Sequence, residues 1–211
     1  MADLTGSTAT IATPPLDGTE KLLASDTGVD VVVTVRQVAA YVGDALGNES
    51  VAAQSPPAAA TTYLIGSDIL VPTTERVKVG TIFRWHGIVT KTAAGTLASS
   101  ILVKCGINGS TADATLLTFA LPAGTAVIDT GYLEINVTIR VIGATATLHG
   151  SLLFTHNLAT TGLIIQNQSV EQATSGTFNS AVDVLRFGLA FTAGTSQAWT
   201  FQSLFGEAKN L

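Results

Sequence analysis

Between Glu134 and Val141 the chain alternates without a fault: Ile135, Val137, Ile139 and Val141 fall on one phase, Glu134, Asn136, Thr138 and Arg140 on the other. Successive side chains of an extended strand point to opposite faces, so this segment has one face for a core and one for water. The same period recurs from Tyr63 onward. Thr81, Phe83, Trp85 and Val89 follow it first. After Gly143 and Ala144, residues Ala146, Leu148, Leu152 and Phe154 stand opposite Thr145, Thr147, His149 and Ser151, which predicts an antiparallel hairpin. Leu185, Phe187, Leu189 and Phe191, then Trp199, Phe201 and Phe205 beyond a Gly194-Thr195-Ser196 turn, repeat the arrangement. With weaker strands at residues 63–71, 97–107, 115–121 and 163–170 the count reaches about eight, the number of a two-sheet sandwich or jelly roll. No helical period competes after Gly47, and no repeat of fixed length points to a propeller or β-helix. The expected fold is mainly β, a jelly-roll-like antiparallel sandwich over residues 63–211.

The first 47 residues carry a different signal. A strand over residues 16–24 starts after Pro14-Pro15 and runs into the turn cluster Ser25-Asp26-Thr27-Gly28, and Val29 to Val33 supplies a β-branched return strand. Thr34 then precedes Gln37 by three residues, the spacing of a reciprocal helix cap. Val35, Val38, Ala39 and Val42 keep helical spacing, and Gly43 to Gly47 ends the helix. One buried stripe of this kind needs a partner, so residues 16–47 read as an attachment module, with Val35, Val38 and Val42 as its contact. Residues 1–15 read as an extended peptide. Residues 48–62, small and interrupted by Pro56-Pro57, read as a linker reaching about 3 Å per residue where extended.

These residues carry a resemblance. Leu16-Asp17-Gly18-Thr19-Glu20, a second strand, then Thr34-Val35-Arg36-Gln37-Val38-Ala39-Ala40-Tyr41 resembles the short N-terminal modules of tailed-bacteriophage fibre and appendage proteins, where an L-x-G-T-E strand precedes a T-V-x-Q-[IVL]-A helix. Lys78 to Trp85 with Val89 to Thr96 is similar to β-domains that recur in phage structural proteins. The resemblance implies a non-enzymatic virion protein: a surface appendage or short fibre anchored through residues 1–47 to other virion proteins. Its outward β-domain would associate with itself as a homotrimer and touch a host-surface glycan or protein, on a virion assembled in the host cytoplasm. A capsid decoration protein stabilising the shell has the same layout and stays open as the alternative. A small glycan-active enzyme is the remote third.

Composition bears on partners. Charged residues make up 12% of the chain, against about a quarter in ordinary soluble proteins. Subunit contacts are the expected cover for so much uncharged surface, because homo-oligomer interfaces are more apolar than free surface. A net charge of −5 with scattered Lys and Arg argues against a nucleic-acid binder. Apolar runs such as Val31-Val32-Val33 fall far below the roughly 18 residues of a membrane span, so no membrane insertion is expected. Met1 to Gly6 lacks the basic start and apolar core of a signal peptide.

Chemistry is sparse. His86, His149 and His156 are the only histidines, and no H-E-x-x-H, G-x-S-x-G or phosphate-loop pattern is present. Gly106 to Ser110 lacks the lysine and spacing of a phosphate loop. Cys105 is the lone cysteine and reads as a small buried residue. Ser151, a histidine and Asp183 are the nearest approach to a catalytic trio. Asp113, Asp129, Glu134 and Asp183 are the carboxylates that a glycosidase would draw on, with turn capping or solvent contact as the plain alternative. Trp85 and Trp199 fall in the apolar phase and read as core. No catalytic residue, metal or cofactor is expected; any receptor contact falls to loops 106–113, 123–130 or 193–197, whose residues name no ligand.

Overall fold

The alternating apolar residues close on one another across two sheets. In the computed structural model, which describes residues 21–26, 29–34, 45–71, 77–158, 160–165, 168–181, 185–196 and 198–211, every element among the described residues is a strand. The chain divides into two units, Met1–Gly43 and Asp44–Leu211.

In the first unit, strands β1 (Lys21–Asp26) and β2 (Val29–Thr34) pair antiparallel from Lys21↔Thr34 to Asp26↔Val29. The expected hairpin is there, with Ser25 and Asp26 prolonging the first strand instead of turning. The predicted helix, and with it Val35, Val38 and Val42, lies outside the described residues.

The second unit is an antiparallel β-sandwich. Its strands are β3 (Ala45–Ser50), β4 (Thr61–Tyr63), β5 (Ile69–Val71), β6 (Ile82–Lys91), β7 (Ser99–Gly106) and β8 (Ala114–Leu121), then β9 (Asp129–Val141), β10 (Thr147–His156), β11 (Gln168–Thr174), β12 (Leu185–Thr192) and β13 (Trp199–Lys209). One sheet runs β11-β10-β9-β6-β13-β3; the other runs β4-β12-β7-β8, with β5 also on β12. Setting aside the β10–β11 hairpin, the chain changes sheets at every step except from β4 to β5 and from β7 to β8. The order β3-β13-β6-β9 facing β4-β12-β7-β8 is that of a jelly roll.

The core lies between the sheets. Phe83, Trp85 and Val89 of β6 and Leu133, Ile135, Val137 and Ile139 of β9 are fully buried, facing Ile101 and Val103 of β7 and Phe187, Leu189 and Phe191 of β12. Aromatic contacts knit the layers: Phe83 on Phe187 with ring centroids 4.1 Å apart, and Phe191 on Trp199 at 5.4 Å. Trp85 donates its indole N–H to Ser67 O at 2.7 Å, and Gly206 makes room for the ring. Both tryptophans are core residues, as their phase predicts.

Five expectations shift. Residues 48–62 are no free linker: Ala45–Ser50 is an edge strand on β13, Gln54 exchanges backbone hydrogen bonds with Phe201, and the Gln54 amide pairs with both backbone groups of Ile65. Short polar residues suit an edge of this kind, and they leave no apolar alternation to read. The stretch 63–71 is broken into β4 and β5 by a turn at Gly66, whose φ of +85° and contact with the Ser50 backbone leave no room for a side chain. The strand read at residues 163–170 starts only at Gln168, while Leu163 and Ile164 are buried in the preceding loop. The last two concern Phe205 and Val141. A bulge between Phe201 and Ser203 adds one residue to β13 and flips the phase, so Leu204 enters the core and Phe205 turns outward. Val141, also expected inside, is exposed at the end of β9.

Candidate functional site

The outward face of the six-stranded sheet holds the chemistry that the core leaves over. Register places Phe205 of β13, His86 of β6 and Glu134 of β9 side by side in one row across three strands. The His86 ring stacks on Phe205 with centroids 5.3 Å apart and an interplanar angle of 17°. Tyr132, two residues from Glu134 along β9, leans toward it at 6.3 Å. Phe205 is in this cluster only because of the bulge.

The neighbouring row is ionic. Arg84 Nη2 donates to Glu134 Oε2 at 3.0 Å, and Arg84 Nη1 lies 3.9 Å from Glu207. Asn136 donates to Glu134 Oε1 at 2.8 Å. Hydrogen bonds from Asn136 and Arg84 hold the Glu134 carboxyl below the usual carboxylate range, while burial and Glu134 push the Tyr132 hydroxyl up. Two buried nitrogens of this face, His86 Nδ1 and Arg84 Nε, have no hydrogen-bond partner among the described residues. Beside them an open depression of about 490 Å³ is lined by Gly47, Asn48, Glu49, His86, Phe205, Gly206 and Glu207. A second, of about 330 Å³, lies around Ile88, Tyr132 and Thr155. Together they make a broad surface, aromatic in one row and ionic in the next, able to pack against another protein.

The three histidines are separate, each in its own setting. His86 is in the aromatic row. His149 is on the same face, its Nδ1 3.4 Å from Thr174 Oγ1. His156 points inward, where its Nδ1 lies 2.7 Å from Asp129 Oδ2 with both side chains shut from solvent. The sequence motifs did not foresee this pair. The usable signal was positional: Asp129 opens β9 and His156 closes the antiparallel strand beside it. Ser151 faces outward on β10 while His156 faces inward, so these two do not meet, and Asp183 lies outside the described residues. Among the described residues no three of His, Cys, Asp and Glu gather as metal ligands.

Asp113 is a turn cap. Its carboxylate accepts from Asn108 N, Ser110 N and the Asn108 side chain at 2.9–3.1 Å, so the loop amides that would cradle a phosphate are turned on the chain's own carboxylate. Burial pushes this carboxyl up, but the backbone donors outweigh it and hold it below its ordinary value. Cys105 is buried in β7, and burial with Asp113 nearby pushes its thiol up to about 12.

Topology sorts the candidate contact loops. The chain enters the sandwich at Ala45, opposite Lys209, and the loop at residues 106–113 lies at this same entry end. The connections at residues 122–128 and 193–196 lie at the other end, with those at 92–98, 157–158 and 160–165.

Fold and face define a jelly-roll sandwich with one open, aromatic sheet face. Compared with known proteins, the chain matches no family model and no curated protein.

Proposed function

We propose that the chain is a non-enzymatic structural protein of a tailed-phage virion, a surface appendage or short fibre. Its N-terminal region attaches it to the particle, and the sandwich projects outward as a homotrimer. The observation that carries the reading is the outward face of β9, β6, β13 and β3. Its stacked His86 and Phe205, its depression, and two buried nitrogens without partners belong to a surface that another protein covers. A second copy supplies that cover in this reading, in keeping with a chain only 12% charged.

The test is Phe205→Asp in the full chain, read by sedimentation. An unpaired carboxylate in an apolar contact is costly to bury, so the trimer is expected to fall to monomers with its β-sheet signal unchanged. A wild-type protein that is already monomeric, or a variant that stays trimeric, would remove the face from the account.

A further inference from the structure

Asn108-Gly109 is the one Asn-Gly step in the sequence; every other asparagine is followed by a residue with a side chain. Such a step is open to self-cyclisation. The amide nitrogen of the second residue can attack the side-chain carbonyl of the first, and glycine puts no side chain in the way. The step lies in the loop between β7 and β8, where Asn108 is exposed. The fold itself requires the glycine: Gly109 has a φ of +62°, and a Cβ there would lie 3.0 Å from Asp68 Oδ1 and 3.2 Å from Arg186 Cδ.

Asp113 holds the groups that this reaction must free. Its Oδ1 accepts from Asn108 N at 3.1 Å and from Asn108 Nδ2 at 2.9 Å, and its Oδ2 from Ser110 N at 3.1 Å. The Gly109 amide is among the backbone donors to the same carboxylate. Asp113 is buried, and Lys104 fastens the loop from below, its ammonium donating to Thr111 O at 3.1 Å and Asp113 O at 2.9 Å. Cyclisation needs Gly109 N to lose its proton and the Asn108 carboxamide to swing onto it. The first would form an anion beside the Asp113 carboxylate, with Asp68 also near, which like charges oppose. The second would break the bond from Nδ2 to Oδ1.

We propose that Asn108 is a self-modification site of the chain, a deamidation site that Asp113 keeps closed. When the cap opens, Gly109 N attacks Asn108 Cγ, and the bond from Cγ to the side-chain nitrogen breaks. That nitrogen leaves as ammonia, taking the proton from Gly109 N, and a succinimide ring remains. Water opens the ring at either carbonyl, giving aspartate or, through the side-chain carbonyl, isoaspartate. One water is consumed and one ammonia released, with no redox change. Either product sets a carboxylate where an amide donated to Asp113 Oδ1, so two like charges face each other and the cap does not re-form. The change runs one way and leaves the loop at residues 106–113 open. It is independent of what the sheet face packs against.

The experiment is peptide mapping by mass spectrometry of the full chain, incubated at mildly alkaline pH either native or unfolded in urea. Tryptic cleavage after Lys104 and Arg140 leaves Asn108 and Asn136 in one peptide, so Asn136 of β9 is the internal standard and fragment ions locate each change. In the unfolded chain Asn108 is expected to convert to acid well ahead of Asn136. In the native chain its rate is expected to fall by about tenfold or more, because reaction waits on local opening of the cap. Native Asp113→Asn, with its β-sheet signal intact, is expected to recover about tenfold of that rate at Asn108 and none at Asn136. Asp113→Ser, which keeps a hydroxyl acceptor without the charge, carries the same expectation. Equal rates at Asn108 in the native and unfolded chains, an unfolded chain in which Asn108 is no faster than Asn136, or folded Asp113 variants that convert no faster than the unsubstituted protein would overturn the proposal.

Discussion

His156 Nδ1 lies 2.7 Å from Asp129 Oδ2, and neither side chain reaches solvent. Asp129 also accepts from Thr130 N and Leu163 N, so one carboxylate holds a strand start, a strand end and a loop. Lys91, held below its ordinary value by burial and partly restored by Asp129, sits in register with it across β6 and β9. Asp129→Ala leaves a buried imidazole and two amides without their acceptor. The expected loss is about 3–5 kcal/mol, the usual cost of removing one partner of a buried pair. Denaturant unfolding measures it; a change under about 1 kcal/mol would mean that water or Thr125 replaces the carboxylate.

Gly206 tests the packing of Trp85. A Cβ at position 206 would lie 2.7 Å from the indole Cδ1 and 2.8 Å from Nε1, so the ring has to shift and strain its bond to Ser67 O. Gly206→Ala is expected to cost about 1–3 kcal/mol, the range for overpacking a filled core. Thermal unfolding reads the loss, and Trp85 fluorescence reports the displaced ring. Unaltered stability would show that the sheets part easily here.

The Asp113 loop supplies a pH dependence. The folded carboxyl titrates below its unfolded value, so its contribution is present above about pH 4 and is lost as pH falls through the folded value. Asp113→Asn is expected to be less stable than the unsubstituted protein at pH 7 and to lose less on acidification below pH 4. Unfolding free energies at pH 7 and pH 3 check both signs. Parallel loss in the two proteins would assign the acid sensitivity elsewhere, with Glu134 the next candidate since its carboxyl is also held low.

Much of the sandwich was legible because alternation is a local property. Ile135, Val137 and Ile139, or Phe187, Leu189 and Phe191, declare a buried face without reference to any partner. Phe205 was not legible, since one extra residue at the bulge reverses the phase and the sequence does not mark the insertion. The β3 edge strand was missed for a related reason: between Ala45 and Ser50 only Leu46 is a large apolar residue packed on the core, so no apolar rhythm marks the strand. The outward face depends on register across three strands, which joins residues as distant as His86, Glu134 and Phe205. The Asp129–His156 pair likewise became visible only when β9 and β10 were aligned.

The most direct measurement of the account is made on particles. On the proposed role, antibody raised against residues 44–211 and located by electron microscopy on purified virus particles is predicted to label the outside of the virion. Label confined to a vertex or the tail gives the appendage, and label spread over the shell gives the decoration protein. A chain found only in the soluble fraction of infected cells and on no particle would contradict the account.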